Sequence, residues 1–124
     1  MCDSIPALRV EADGRRGWWL QGQLHRSEGP ALIWTDGVQE WWLNGQLHRA
    51  DGPAVIYPDG LHEWWLYSEL HRADGPAVIY PDGHQEWWLK GDEITQRVNL
   101  WMQNLAVTWP WDAQTQTQFE LTFS

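Results

Sequence analysis

The chain has one cysteine, few basic residues and no long apolar run. The lone Cys2 excludes an intramolecular disulfide, so a cytoplasmic protein is expected rather than a disulfide-stapled secreted one. At the terminus it is expected simply to be exposed. Lys and Arg number 8 against 17 Asp and Glu, a formal net charge of −9. Nucleic-acid binders need cations to displace counterions, and anionic membrane surfaces attract cations, so neither is an expected partner. No stretch approaches the roughly 18 apolar residues of a membrane span, and no apolar segment of signal-peptide type is visible near the start. Phosphate loops, metal-ligand clusters and nucleophile motifs are missing too. The expectation is therefore a protein that is not an enzyme and uses no cofactor. A hydrophobic share of 43% in 124 residues is that of a folded chain and fits a single domain, 1–124. What is in excess is tryptophan, with 12 residues.

Most of that tryptophan belongs to a repeat. Trp-Trp-Leu occurs at 18–20, 41–43, 64–66 and 87–89, and Asp-Gly at 13–14, 36–37, 59–60 and 82–83, each step being 23 residues. Leu-His-Arg and Gly-Pro-Ala keep the same phase. The unit reads WWLxGxLHRxDGPAxIxxDGxxE. Complete copies are 18–40, 41–63 and 64–86, with partial copies at 7–17 and 87–91. Several motifs held in one phase mark a stacked repeat architecture.

Each unit carries strand and turn chemistry. Val55-Ile56-Tyr57 and Glu63-Trp64-Trp65-Leu66 are β-branched and aromatic runs, and such residues fill strands. Between them, Pro58-Asp59-Gly60 supplies a fixed φ, a turn former and a left-handed residue for a three-residue hairpin loop. Asn44-Gly45 is the signature of a two-residue hairpin with positive φ at both positions. Tyr67-Ser68 replaces it in the third unit, so a looser or different turn is expected there. Ala50-Asp51-Gly52-Pro53 must bend, because Pro cannot donate to a ladder. The expected fold is mainly β, an antiparallel meander or solenoid sheet of repeated hairpins over 7–91.

The pattern then changes. Apolar positions 94, 98, 101, 102 and 105 have helical spacing, and Asp92 is a candidate N-cap. One amphipathic helix over 92–105 is expected to cap the array, since an open sheet end invites pairing with other chains. Residues 106–124 are expected to be a Trp- and Pro-containing linker and a terminal strand, with Phe119, Leu121 and Phe123 alternating onto one face.

The spacing from Asn44-Gly45 to His48, within a 23-residue period, resembles MORN repeats. The WWLNGxLHRxDGPA variety is similar to repeats of small phage and prophage proteins. The resemblance implies a β-hairpin sheet used for binding, without catalytic residues, and a viral or mobile-element origin.

If Asn44-Gly45 closes a two-residue turn, Trp42 opposes Leu47 and Trp41 opposes His48. Opposed residues share a face. One face then carries Trp18, Trp41, Trp64 and Trp87 with His25, His48 and His71; the other carries Trp19, Trp42, Trp65 and Trp88. The first ladder, together with Arg26, Arg49 and Arg72, is the candidate partner-binding site. An exposed aromatic stripe would mark an interaction surface; the competing reading is that the sheet curls or forms a homodimer and buries both ladders. The Arg residues suit acidic or phosphate groups, whereas in-phase Asp51 and Asp74, or the Trp rings, suit pairing within the unit. No metal site is expected, because equivalent His residues two strands apart stand about 9–10 Å from each other.

These features favour a non-enzymatic binding protein in the host-cell cytoplasm, a phage-encoded inhibitor of a bacterial factor acting in counter-defence, such as anti-CRISPR activity. The alternatives are a nucleotide or small-ligand binder using the Trp faces and a self-assembling structural repeat.

Overall fold

A computed structural model describes residues 5–123; Cys2 and the last residue of the expected terminal strand, Ser124, lie outside them. The fold is mainly β, with antiparallel strands followed by two helices. One nine-stranded sheet runs from the edge strand Ala7–Val10 through Arg16–Leu20, Leu32–Ile33, Gln39–Glu40, Val55–Ile56, His62–Glu63 and Val78–Ile79 to Gln85–Glu86, with Gln23–Leu24 paired to Arg16–Leu20. Three separate hairpins stand beside it: Trp42–Leu43 with Gln46–Leu47, Trp65–Leu66 with Glu69–Leu70, and Trp88–Leu89 with Asp92–Glu93.

Two turns per unit generate this pattern. Around Pro58-Asp59-Gly60 the Tyr57 amide bonds the Leu61 carbonyl at 3.0 Å, the Asp59 carboxylate accepts the Leu61 amide at 3.0 Å, and Gly60 has φ 102°. The tight turn pairs Trp42 with Leu47 and Leu43 with Gln46, the register expected of Asn44-Gly45. Its central residues have φ 50° and 79°. Tyr67 and Ser68 adopt the same form, φ 49° and 64°, so the expectation of a looser turn is corrected. Tertiary contacts impose the conformation: Ser68 Oγ accepts the Leu47 amide at 3.2 Å, and the Tyr67 ring lies 4.3 Å from that of His48. The bend at 50–53 does split the second strand, sending Gln46–Leu47 to the small hairpin and Val55–Ile56 to the large sheet.

Alanine joins the pieces. Trp41 donates its amide to the Ala54 carbonyl at 2.7 Å, and Ala54 donates to Glu63 at 2.7 Å. Ala31 and Ala77 occupy the same position, and all three are 0% exposed. The backbones are close enough there that a larger side chain would overfill the space.

The C-terminal expectations need two corrections. Asp92–Glu93 is a strand, and helix α1 spans Thr95–Leu105 with Ile94 at its N-cap and no side-chain cap. Lys90-Gly91 repeats the positive-φ turn, at 51° and 83°, so the chain pairs back before it coils. Residues 116–123 are not a strand: helix α2 spans Ala113–Phe123. Asp112 caps it, accepting the Thr115 amide at 2.8 Å. Phe119 and Phe123 share a helix face four residues apart, while Leu121, the third member of the supposed strand face, is 81% exposed. Within α1, Val98 is buried, Trp101 and Met102 pack on the same cluster, and Leu105 points outward.

Candidate functional site

The first ladder is covered by its own units. The guanidinium carbons of Arg26, Arg49 and Arg72 lie 3.8, 4.0 and 4.0 Å above the rings of Trp18, Trp41 and Trp64. The same side chains donate to the carbonyls of Pro30, Pro53 and Pro76 at 3.1, 3.0 and 3.1 Å. Arg49 and Arg72 also pair with Asp51 and Asp74 at 3.0 and 2.8 Å. A guanidinium has one plane and five donors, so one side chain can stack and bond at once. Glycine leaves the room: a Cβ on Gly52 would meet Arg49 Cζ at 2.9 Å.

The histidines link successive units. Nδ1 of His25, His48 and His71 accepts the backbone amide of Asn44, Tyr67 and Lys90 at 3.0, 3.2 and 2.9 Å, each 19 residues away. An Nδ1 that accepts a hydrogen bond carries no proton. Burial lowers the His71 pKa, and the charge of Lys90 adds to this against the opposing effect of Glu69. Each His also donates its own amide to the Trp carbonyl across the hairpin, His48 to Trp41 at 3.0 Å, which pairs the His row with the first Trp ladder on one face.

The second ladder depends on a residue type that was not singled out as a site. Glu40, Glu63 and Glu86 accept the indole N–H of Trp42, Trp65 and Trp88 at 2.8, 2.9 and 3.0 Å. The other oxygen of Glu40 accepts from Trp34 Nε1 at 2.9 Å, and that of Glu86 from the Tyr80 hydroxyl at 3.0 Å. The bond to Glu86 is the main reason the Tyr80 pKa is raised. Tyr57, at the same position, is raised first by burial and then by the charges of Glu63, Glu40 and Asp59. The in-phase Glu at the end of each unit was the available signal.

Trp87, the fourth rung, stands apart. Ile94 and Thr95 occupy the places that His71 and Arg72 hold one unit earlier. Thr95 Oγ1 accepts the Trp87 amide at 3.0 Å, the role filled elsewhere by an Ala carbonyl. In place of Arg, the Trp111 ring stacks on Trp87, 6.4 Å between centroids and 21° between planes. Trp87, Ile94, Val98 and Phe119 form a buried cluster flanked by Trp101, Met102 and Phe123. Trp109 lies over Arg72 at 5.2 Å and donates Nε1–H to the Asp74 carbonyl at 3.0 Å, while Gln116 donates to the Ala73 carbonyl at 2.8 Å. The ten predicted site residues are therefore brought together as three Trp–Arg pairs closed within their own units, three His residues bonded to the next unit, and one rung, Trp87, packed against the C-terminal helices.

Carboxylates remain outside. Asp13, Asp36, Asp59 and Asp82 accept local turn amides at 3.0, 3.1, 3.0 and 2.9 Å and line one edge. The Asp51 and Asp74 side chains are 87% and 75% exposed on the bend loops. Among the described residues no group of three or more His, Cys, Asp or Glu could hold a metal ion, and no helix is long and apolar enough to cross a membrane. Comparison with protein families, curated proteins and solved structures gives no match.

Proposed function

We propose that the chain is a non-enzymatic binding protein, a solenoid of MORN-like hairpin units whose rows of carboxylates engage a basic surface on a protein partner. One observation carries this reading: the ladder arginines turn inward onto Trp rings and Pro carbonyls, while the turn and loop acids face solvent at the repeat spacing. Successive acids two strands apart stand about 9–10 Å from each other. The turn acids Asp36, Asp59 and Asp82 thus form an exposed acidic row, beside loop acids Asp51 and Asp74 that are paired with Arg49 and Arg72. Charge complementarity of this kind steers association and selects a basic partner. In its sharper form the partner is a bacterial factor with a basic nucleic-acid groove, and the protein is its phage-encoded inhibitor, in keeping with the look of the repeat. A nucleotide-binding reading has less support, because guanidinium groups already lie on the rings of Trp18, Trp41 and Trp64.

The test is a pull-down from bacterial lysate at rising salt. A stoichiometric partner with a basic surface, released by salt and lost in Asp36→Lys/Asp59→Lys/Asp82→Lys, is the expected result. A partner that is insensitive to both, or no stoichiometric partner at all, would contradict the proposal.

A further inference from the structure

Two open grooves repeat along the array, and a third is filled by the chain itself. The first groove, a cavity of about 580 Å³, is lined by Arg26, Glu28, Gly29, Pro30, Trp41 and Arg49 among others. The second, about 380 Å³, is lined by Arg49, Asp51, Gly52, Pro53, Trp64 and Arg72, each 23 residues further on. Both volumes fall in the range of ligand sites, about 300–1,000 Å³.

One step along, the wall is Arg72, Asp74, Gly75 and Pro76. Here Trp109 lies on the outer face of the Arg72 guanidinium, which is sandwiched between Trp64 at 4.0 Å and Trp109 at 5.2 Å. The Trp109 N–H meets the Asp74 carbonyl, and a Cβ on Gly75 would stand 2.7 Å from the indole. Gly75 and Pro76 are buried in consequence, whereas Gly29, Pro30, Gly52 and Pro53 are only partly covered. The two open grooves offer the same elements: a guanidinium already seated on Trp18 or Trp41 with its other face outward, a side-chain-free glycine, and a backbone carbonyl. Among the described residues the Glu28 and Asp51 carbonyls accept no hydrogen bond.

We propose that these two grooves bind a tryptophan-bearing peptide segment of a partner protein, docked as Trp109 docks in the third. The indole stacks on Arg26 or Arg49, a cation–π contact, and its N–H donates to the Glu28 or Asp51 carbonyl. This rests on the reading of the chain as a binding protein and adds the element that it recognises. The occupant is named by the chain's own Trp109-Pro110-Trp111 segment, which is seated on the equivalent surface.

The experiment titrates a synthetic peptide of residues 107–113, Val-Thr-Trp-Pro-Trp-Asp-Ala, into the full-length protein by calorimetry. Saturable binding of two peptides is expected. Replacing the peptide's first Trp by Ala weakens it about tenfold. Ala50→Tyr, at an exposed position lining both grooves, abolishes it. Trp109→Ala in the protein opens the third groove and raises the stoichiometry to three. Absence of saturable binding, or binding indifferent to the peptide Trp or to Ala50→Tyr, overturns the proposal. So does self-association of the protein that Ala50→Tyr removes, which would make a second copy the occupant. Asp36→Lys/Asp59→Lys/Asp82→Lys leaves peptide binding intact, so failure of the groove and failure of the acidic rows are told apart.

Discussion

Among the described residues the buried apolar side chains of the repeats are Ala31, Leu32, Ala54, Val55, Ala77 and Val78, with Pro76 buried beneath Trp109; those of the cap are Trp87, Ile94, Val98 and Phe119. The first set is small and strung along a sheet. The second is large and gathered into one cluster with Trp101, Trp111 and Phe123 around it. Between repeats, the cohesion beyond backbone ladders is polar: a His Nδ1 to a turn amide of the next unit and a Glu to an indole N–H of the next unit, with an Arg on a Trp ring within each unit. A net hydrogen bond contributes about 1 kcal/mol and a cation–π contact about 0.5–2 kcal/mol. Burial of a Trp or Phe contributes several times more. The array therefore gains its specificity of stacking from many modest contacts, and its closed end from a few large ones.

Substitutions should separate the two regions by size of effect. Phe119→Ala leaves a cavity in the cap and is expected to cost about 3–5 kcal/mol by urea denaturation; a loss below about 1 kcal/mol would remove the contrast. Arg49→Ala, in the middle of the array, removes the ring contact, the Asp51 pair and the Pro53 bond together. It is expected to cost about 1–2 kcal/mol, with Arg72→Ala costing more because Trp109 also rests on that side chain.

A smaller effect follows from His71. Its folded pKa lies below the ordinary 6.5, so the unfolded chain binds the proton more readily. Its contribution is present above about 6.5 and is lost as pH falls through that value towards the lower folded pKa. His71→Asn keeps an acceptor near the Nδ1 position without titrating. The wild type should lose more thermal stability than this variant between pH 7.5 and 5.5, and parallel curves would contradict the inter-unit role. Smallest of all, Ser68→Gly relieves a positive φ but gives up the bond to the Leu47 amide. These offset each other, and the change should stay within about 0.5 kcal/mol.

The same contrast explains what could be read from residues alone. In the array, period and turn chemistry are local, so the hairpin registers and the shared face of Trp41 and His48 were legible. What those side chains touch was only half legible. The sequence offers Arg49 either a Trp ring or Asp51 as partner, and the side chain takes both. The link from His48 to the Tyr67 amide spans units and leaves no local trace. In the cap, the period-2 pattern of Phe119, Leu121 and Phe123 also satisfies a helix through the 119/123 pair. The Asp112 cap and the packing on Trp87 decide between them. Trp109 reads as part of a linker because nothing near it in the chain points to Arg72.

The central claim is that the histidines lock one unit to the next. Backbone amide hydrogen exchange at Asn44, Tyr67 and Lys90 tests it most directly. All three lie on exposed turns, where an unbonded amide exchanges freely. The structure predicts that they are protected, and that His48→Phe accelerates exchange at Tyr67 while leaving Asn44 unchanged. Rapid exchange at all three in the wild type, or protection at Tyr67 that survives His48→Phe, would contradict it.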